Sequence, residues 1–546
     1  MLDPIQAKSK LSNFRDREFR EGQLEAIDFI MNSSKKVKIL QAPCGTGKSL
    51  IGVVCAMMAG QATYLVQSKF LQTQIVNDFD NFVSVWGRNN YKCLLNNYKT
   101  CAECISMESN PCPKKGVCLY FLAKQRAIEA NFRILNFQYF LSETTHVGRF
   151  SGNVLTIVDE ADALEPVLSS GVCLEFTERG LYRLGLTDGP GRKTPNSKDG
   201  LTSWIAFGEE ALQRSSSVIK EMKHEIDDID NADNDLKLRK LKELEYFVHI
   251  NERCRIFLNS VDKSWIFEEI PRRGSQQGKM VFKPTWLSPD LAQKYFWRLS
   301  DSFVLMSATF LPIPILAKQL GLDTDDIDYI VLPSTFDPER SPVHICPVAD
   351  VTTKNMTLAI PVLIKAIKTI LSRHKGERGI IHAVSWKLCK EIIDGVNSSR
   401  IITHTSESRQ EVIGEFMKID GNFAKDAVLC SPSSERGVDL KDDLCRFSIL
   451  VKCPFLSIGD KLVSSRIHSG KVGQLWYQAD AMATVEQCCG RATRNSDDYS
   501  VTYILDSQIN KLYTQKPSLW SKSFQGQISW ETVDLLDENK LIESED

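Results

Sequence analysis

The run Gln41-Ala42-Pro43-Cys44-Gly45-Thr46-Gly47-Lys48-Ser49 carries the strongest chemical signal in the chain. It follows the short apolar stretch VKILQ at 37–41 and precedes the longer apolar stretch 50–60, so the pattern predicts strand, tight turn and helix. Such a turn cradles phosphates. Gly45 and Gly47, with Thr46 between them, permit a backbone that aims amide N–H groups at phosphate oxygens, and the helix start adds partial positive charge. Lys48 would reach the β- and γ-phosphates, and Ser49 would ligate Mg²⁺. The spacing of the phosphate-loop pattern is kept, with Ala42 where that pattern has its first glycine.

Two further groups suit the same chemistry. Asp159-Glu160-Ala161-Asp162 ends the apolar stretch NVLTIV, at the carboxyl end of a strand, where open α/β sheets bind ligands. Asp159 would hold Mg²⁺, directly or through water, and Glu160 would orient and polarise the attacking water. Far along the chain, Gln487-Cys488-Cys489-Gly490-Arg491-Ala492-Thr493-Arg494 offers two arginines three apart, able to share one helix face. Arg491 and Arg494 are suited to the charge that develops on a transferring phosphoryl group. If both halves of the chain are needed, hydrolysis is coupled to their relative motion. The combination predicts an ATP-driven motor.

The elements that must position these groups follow α/β grammar. A helix is expected over 20–35 and 119–130, with strands at 37–41, 62–66, 132–135, before Asp159, and at 303–308. A second α/β pattern begins near 340, with strands in VHICPV, GIIHAV, AVLCS, FSILVKC and VTYILD. Between the halves, 205–262 alternates charge at helical spacing. It reads as a helical hairpin broken near NADND, not part of any sheet, flanked by loops at 187–200 and 271–278.

The length, 546 residues, suits three or four domains, and 42% hydrophobic with 25% charged residues excludes a disordered chain. No stretch of 18 apolar residues predicts a membrane span, the first 20 residues lack a secretory apolar run, and a reducing cytoplasm is expected. A net charge of −2 identifies no partner, since a basic groove can be local, and eight histidines exclude His-rich metal chemistry. Of 16 cysteines, most sit singly in apolar runs, such as Cys55, Cys346 and Cys453, and read as small buried hydrophobes. Cys93, Cys101, Cys104, Cys112 and Cys118 differ: they fall within 26 residues. Four thiolates hold zinc or an iron–sulfur cluster equally well, and the Cys-x2-Cys spacing alone leans to zinc. This polar loop has little core of its own and would need such a cross-link to fold. Lys114, Lys115, Lys124 and Arg126 beside it could meet phosphates.

In this order, the motifs resemble those of the superfamily 2 iron–sulfur DNA helicases of the XPD and DinG type. Phe19, Arg20 and Gln23 resemble the adenine-side motif. Asn136 through Leu141 resembles the family's Asn-x-x-Tyr-Leu stretch. Asp159–Asp162 resembles motif II, with Asp where the family usually has His. Ser307-Ala308-Thr309 resembles motif III, Ser433 through Asp439 motif V, and Gln487 through Arg494 motif VI. Gly87 through Cys93 and Cys118-Leu119-Tyr120-Phe121 resemble the borders of the iron–sulfur module.

The resemblance implies an α/β fold of two RecA-like P-loop helicase domains. Domain 1 would occupy 1–165 and 295–335, an iron–sulfur insertion 88–122, an arch-like helical insertion 166–294, and domain 2 336–546. It implies ATP, Mg²⁺ and a 4Fe–4S cluster, reversing the lean to zinc. Cys93, Cys104, Cys112 and Cys118 would hold the cluster, with Cys101 the substitute for Cys104. Arg20, Gln23, Gly45, Thr46, Gly47, Lys48, Ser49, Asp159, Gly437 and Asp439 would bind Mg-ATP, and Lys48, Asp159, Glu160, Gln487, Arg491 and Arg494 would serve catalysis. The implied protein is a monomeric ATP-dependent DNA helicase with no membrane partner. It would move 5′→3′ on single-stranded DNA and open forked or 5′-tailed duplexes, in DNA repair, at the nucleoid or in the nucleus according to host. Open alternatives are a helicase for R-loops or RNA–DNA hybrids, a non-unwinding nucleic-acid-binding ATPase, and a zinc-stabilised ATP switch.

Overall fold

The computed structural model describes residues 2–43, 45–96, 98–103, 112, 114–188, 194–196, 198–229, 234–272, 277–334, 337–418, 421–432, 440, 442–490, 498–529 and 535. Short, almost wholly apolar runs become parallel strands covered on both faces. The first five are β1 (Val37–Gln41), β2 (Ala62–Val66), β3 (Val83–Ser84), β4 (Phe132–Asn136) and β5 (Asn153–Asp159).

After β5 the chain leaves the sheet. Its inserted region holds β6 (Leu174–Thr177), the helices Leu201–Asp227 and Asn234–Ser260, β7 (Trp265–Ile270) and β8 (Lys279–Pro284). The two helices form the expected hairpin. The expectation that this insertion is purely helical is corrected, because β6, β8 and β7 form an antiparallel three-stranded sheet. The long helices bury their apolar stripe against it. Trp204, Phe207 and Phe257 pack with Phe176, Phe267 and Phe282 of the strands, with ring centroids 5.0–6.3 Å apart. Six aromatic rings need two covering layers to leave water, and a hairpin alone supplies one.

The chain then returns as β9 (Ser300–Ser307) and β10 (Ile327–Val331), completing a seven-stranded parallel sheet of order β10-β1-β9-β5-β2-β4-β3. β1 and β2 are consecutive in sequence, yet β9 and β5 lie between them. The carboxyl ends of β1, β9 and β5 therefore stand side by side, with Gln41 level with Ser307 and Asp159 level with Met306. The Lys48–Ala59 helix lies close against this sheet. A Cβ at Gly52 would come within 2.9 Å of Met306 and 3.2 Å of Tyr64, so glycine sets the approach.

The second α/β unit comprises β11 (Val343–Ala349), β12 (Gly379–His382), β13 (Ile401–Ile402), β14 (Val428–Ser431), β15 (Phe447–Leu450), β16 (Val501–Asp506) and β17 (Ile528–Ser529). All pairs are parallel, in the order β13-β14-β12-β15-β16-β11-β17. Ile380 and Ile381 enter opposite cores, as the alternation of a doubly covered strand requires. Two parallel-sheet units of this kind agree with the expected fold class. No helix among the described residues is long and apolar enough to cross a membrane.

Candidate functional site

The turn after β1 holds the residues expected to cradle phosphates. Gly45 and Gly47 take left-handed conformations, with φ of +83° and +81°. Gln23, buried beside the loop, accepts a hydrogen bond from the Arg20 amide at 2.9 Å and donates to the Thr46 carbonyl at 2.8 Å. Arg20 donates to the Gly45 carbonyl, and a Cβ on Gly47 would collide with the Gln23 amide. The sequence-predicted residues Arg20, Gln23, Gly45, Thr46, Gly47, Lys48 and Ser49 are thus brought together. Lys48 Nζ donates to the carbonyls of Ala42 at 2.9 Å and Pro43 at 3.4 Å. Ala42 itself is buried, and its N–H pairs with the Ser307 carbonyl at 3.0 Å, continuing the ladder beyond β1. Its φ is not positive, so this position has no need of the glycine found in the usual pattern.

Asp159 ends β5 opposite this loop. Its two carboxylate oxygens each have a donor: Oδ2 accepts from the Tyr64 hydroxyl at 2.8 Å and Oδ1 from the Glu160 amide at 3.0 Å. Burial pushes the Asp159 carboxyl up from its ordinary range, opposed chiefly by the charge of Lys48. The Tyr64 hydroxyl is held well above its usual range by burial and then by the Asp159 charge. Glu160 adopts φ 54°, ψ 45°, a left-handed conformation costing about 1–3 kcal/mol for a non-glycine residue. Such strain at a turn carrying an acid accords with a functional position.

The other end of the acidic turn meets the second α/β unit. Asp162 Oδ1 accepts from Ser307 Oγ at 2.8 Å, and Oδ2 accepts from Gln487 Nε2 at 3.0 Å. The same amide donates to Thr309 Oγ1 at 2.8 Å. Gln487 lies in the last turn of the Lys471–Cys489 helix, so residues from β5, β9 and the second unit converge on one carboxylate. Arg491 and Arg494 follow that helix and, with Gly437 and Asp439, lie outside the described residues.

In the cysteine-rich segment, Cys101 is buried and its Sγ lies 4.0 Å from Cys118 Sγ. Burial pushes the Cys101 thiol up to about 11, with the neighbouring Cys118 adding to the effect. Cys93 is anchored through its N–H to the Lys99 carbonyl at 2.9 Å. Cys93 and Cys112 are half-buried, and Cys104 lies outside the described residues. Cys101, expected only as a substitute, is the cysteine found beside Cys118. Among the described residues no group of three or more candidate ligands is gathered. The floor of the segment is firm: Lys124 is buried and pairs with Glu143 at 2.5 Å beside Tyr120, so it is a structural cation rather than a free phosphate contact.

Two groups at this cleft escaped sequence reasoning. Tyr64 had one signal, an aromatic hydroxyl in the otherwise small and aliphatic strand ATYLV. The pair Glu165–Arg466, at 2.6 Å and largely buried, had none, because its members lie 301 residues apart.

Comparison with known proteins adds independent findings. A family model described as a helicase C-terminal domain matches residues 369–524. The ATP-dependent DNA helicase YoaA of Escherichia coli is 23% identical over 201 residues, covering 35% of this chain and 30% of YoaA. The ATP-dependent DNA helicase CHL1 of Vanderwaltozyma polyspora is 21% identical over 487 residues, covering 74% of this chain and 58% of CHL1. The chain therefore spans less than two thirds of either relative. A solved structure titled XPD helicase superposes with a TM-score of 0.60 at 15% identity, over 94% of this chain and 100% of that one. S. tokodaii Xpd4 gives 0.56 at 14%, with the same coverages. At such identities the structural likeness is one of fold.

Proposed function

We propose that this chain, an XPD/DinG-like superfamily 2 helicase by fold and sequence relatives, is an ATP-dependent DNA helicase that moves along single-stranded DNA and separates duplex ahead of it. The observation that carries the proposal is the junction at Asp162, where Gln487 of the second unit bonds to the acidic turn and to Thr309 of the first. A nucleotide switch confined to one domain has no use for that junction. A motor needs it, because hydrolysis must be felt as domain movement.

The loop amides and Lys48 bind the phosphates, with Lys48 exchanging the Ala42 and Pro43 carbonyls for phosphate oxygens. Glu160 orients the attacking water and accepts its proton. As the motif resemblance implies, Arg491 and Arg494 would supply positive charge to the transferring phosphoryl group, and Gly437 and Asp439 would bind the nucleotide. Ser49, in the first turn of the Lys48–Ala59 helix, and Asp159, at the end of β5, offer a hydroxyl and a carboxylate, hard oxygen donors of the kind that fit magnesium. When bound there, the ion adds positive charge beside the phosphate oxygens. Strand grip is expected to be backbone-directed and salt-sensitive. Replacement of Lys48 by Ala, or of Glu160 by Gln, is expected to lower DNA-stimulated ATP hydrolysis by about 100-fold or more. Hydrolysis that is insensitive to single-stranded DNA would contradict the motor reading.

The cysteine segment is proposed to hold a 4Fe–4S cluster, supported by its soft donors and by the 4.0 Å approach of Cys101 to Cys118. Cys101 thereby joins Cys93, Cys104, Cys112 and Cys118 as a ligand candidate in its own right. The cluster would supply the cross-link that a polar loop lacks. Anaerobically purified protein is expected to contain iron and acid-labile sulfide, reduced in Cys101→Ser and Cys118→Ser alike. Stoichiometric zinc without iron would replace this assignment with a zinc site.

A further inference from the structure

We infer that the cavity lined by the Asn234–Ser260 helix of the insertion and the Phe137–Val147 helix of the first unit binds a small amphipathic carboxylate, with Arg253 holding its anionic head and the cavity walls its apolar body. The cavity shares no residue with the phosphate-binding turn or the acidic turn, so the inference does not depend on the ATPase reading.

The cavity has a volume of about 250 Å³. The helices Leu164–Val172 and Pro289–Tyr295 complete its lining. Leu141, Val167, Leu168, Leu291 and Phe296 give it apolar walls. No Asp or Glu side chain is among the described residues that line it. Its basic groups are His249 and Arg253, four residues apart and so on one face of their helix. Apolar walls with a few polar groups and one sign of charge are the make-up of a small-ligand site.

A cation set into apolar walls is costly unless an anion pairs with it. Arg253 Nη1 is buried and, among the described residues, has no hydrogen-bond partner. Burial pulls the guanidinium below its ordinary value, and the opposing charges of Cys173, Glu252 and Tyr295 offset this only in part. An anion in the cavity would supply the missing acceptor, and the flat guanidinium fork matches the two oxygens of a carboxylate. One permanent cation balances a monoanion. A phosphate dianion would carry a second charge into the same apolar walls. A nucleic-acid strand would bring in a phosphodiester with its hydrated neighbours, so a small free acid suits the cavity better.

The test is isothermal titration calorimetry of the full chain with sodium octanoate, with octan-1-ol as the uncharged control. Saturable binding of octanoate is expected, weakened about tenfold or more by Arg253→Leu, the effect of losing one charge-assisted pair. Octan-1-ol is expected to bind wild type and Arg253→Leu alike. Val167→Phe, which narrows the cavity and keeps Arg253, should weaken both. Thermal unfolding separates this role from a structural one. Arg253→Leu removes an unpaired buried charge, so without ligand it should melt at or above the wild-type temperature, and octanoate should raise the melting temperature of the wild type alone. Octanoate that binds wild type and Arg253→Leu equally overturns the inference, as does a wild type that shows no saturable binding. Displacement of bound octanoate by a single-stranded oligonucleotide would assign the cavity to nucleic acid and overturn it as well.

Discussion

Gln487 uses one amide group to hold two acceptors on the opposite unit, at 3.0 Å and 2.8 Å. Its partner Asp162 occupies the position where related motifs carry histidine. A carboxylate can accept from Ser307 and Gln487 together, whereas a neutral imidazole has a single accepting nitrogen. The substitution therefore suits the junction. Gln487→Glu would set a carboxylate against Asp162, and is expected to reduce DNA unwinding about tenfold or more, the consequence of roughly 1.4 kcal/mol lost between the units. Adding Asp162→Asn removes the repulsion and should recover part of that loss, as measured by strand displacement. A double variant no better than the single one would show that the two side chains do not act on each other. Lys48, Asp159 and Gln487 were legible in the sequence because their spacing from glycines and strand ends is fixed by local geometry. Tyr64 was not, because only packing places its hydroxyl against Asp159, 95 residues away.

At the scale of elements, the Lys461–His468 helix ties the second unit to the insertion. Arg466 is buried between Trp286 and Trp476, 4.7 Å and 4.9 Å from their centroids. It donates to the Thr285 carbonyl at 2.9 Å and to Glu165 at 2.6 Å. Thr285 and Ser465 hydroxyls meet at 2.7 Å, and Trp286 Nε1 donates to Ser469 at 3.0 Å. Lysine reproduces neither the fork nor the flat face, so Arg466→Lys is expected to lower the melting temperature by several degrees, and Arg466→Met, which leaves Glu165 buried without its partner, by more, at a cost of about 3–5 kcal/mol. Arg466→Met with Glu165→Leu should melt above Arg466→Met alone. Additive losses in thermal unfolding would place the energy elsewhere. The strands most readable from sequence were β1 and β2, short and mostly apolar runs on either side of the glycine-rich turn and its helix. β7 and β8 were missed because they follow a long helical pattern and set Glu268, Glu269, Lys279 and Lys283 among their apolar residues. β3, β13 and β17 have two residues each, too few to carry any period.

At the scale of the molecule, the insertion is not a separate body hung from the first unit. Phe176 and Phe282 of its sheet belong to the same continuous core as Phe303 and Leu305 of β9. The insertion also contacts the second unit through Arg466, so movement between the units that alters the Gln487 junction must strain or shift that contact as well. A motor built this way should convert each hydrolysis into relative displacement of three parts. The most direct measurement is real-time strand separation of a fluorophore-labelled duplex with a single-stranded 5′ tail, started with Mg-ATP. ATP-dependent separation is expected, abolished by Lys48→Ala and poorly supported by a 3′-tailed duplex of the same sequence. Faster opening of an RNA–DNA hybrid than of duplex DNA would redirect the substrate assignment. DNA-stimulated ATP hydrolysis with no strand separation on any tailed duplex would contradict the helicase assignment.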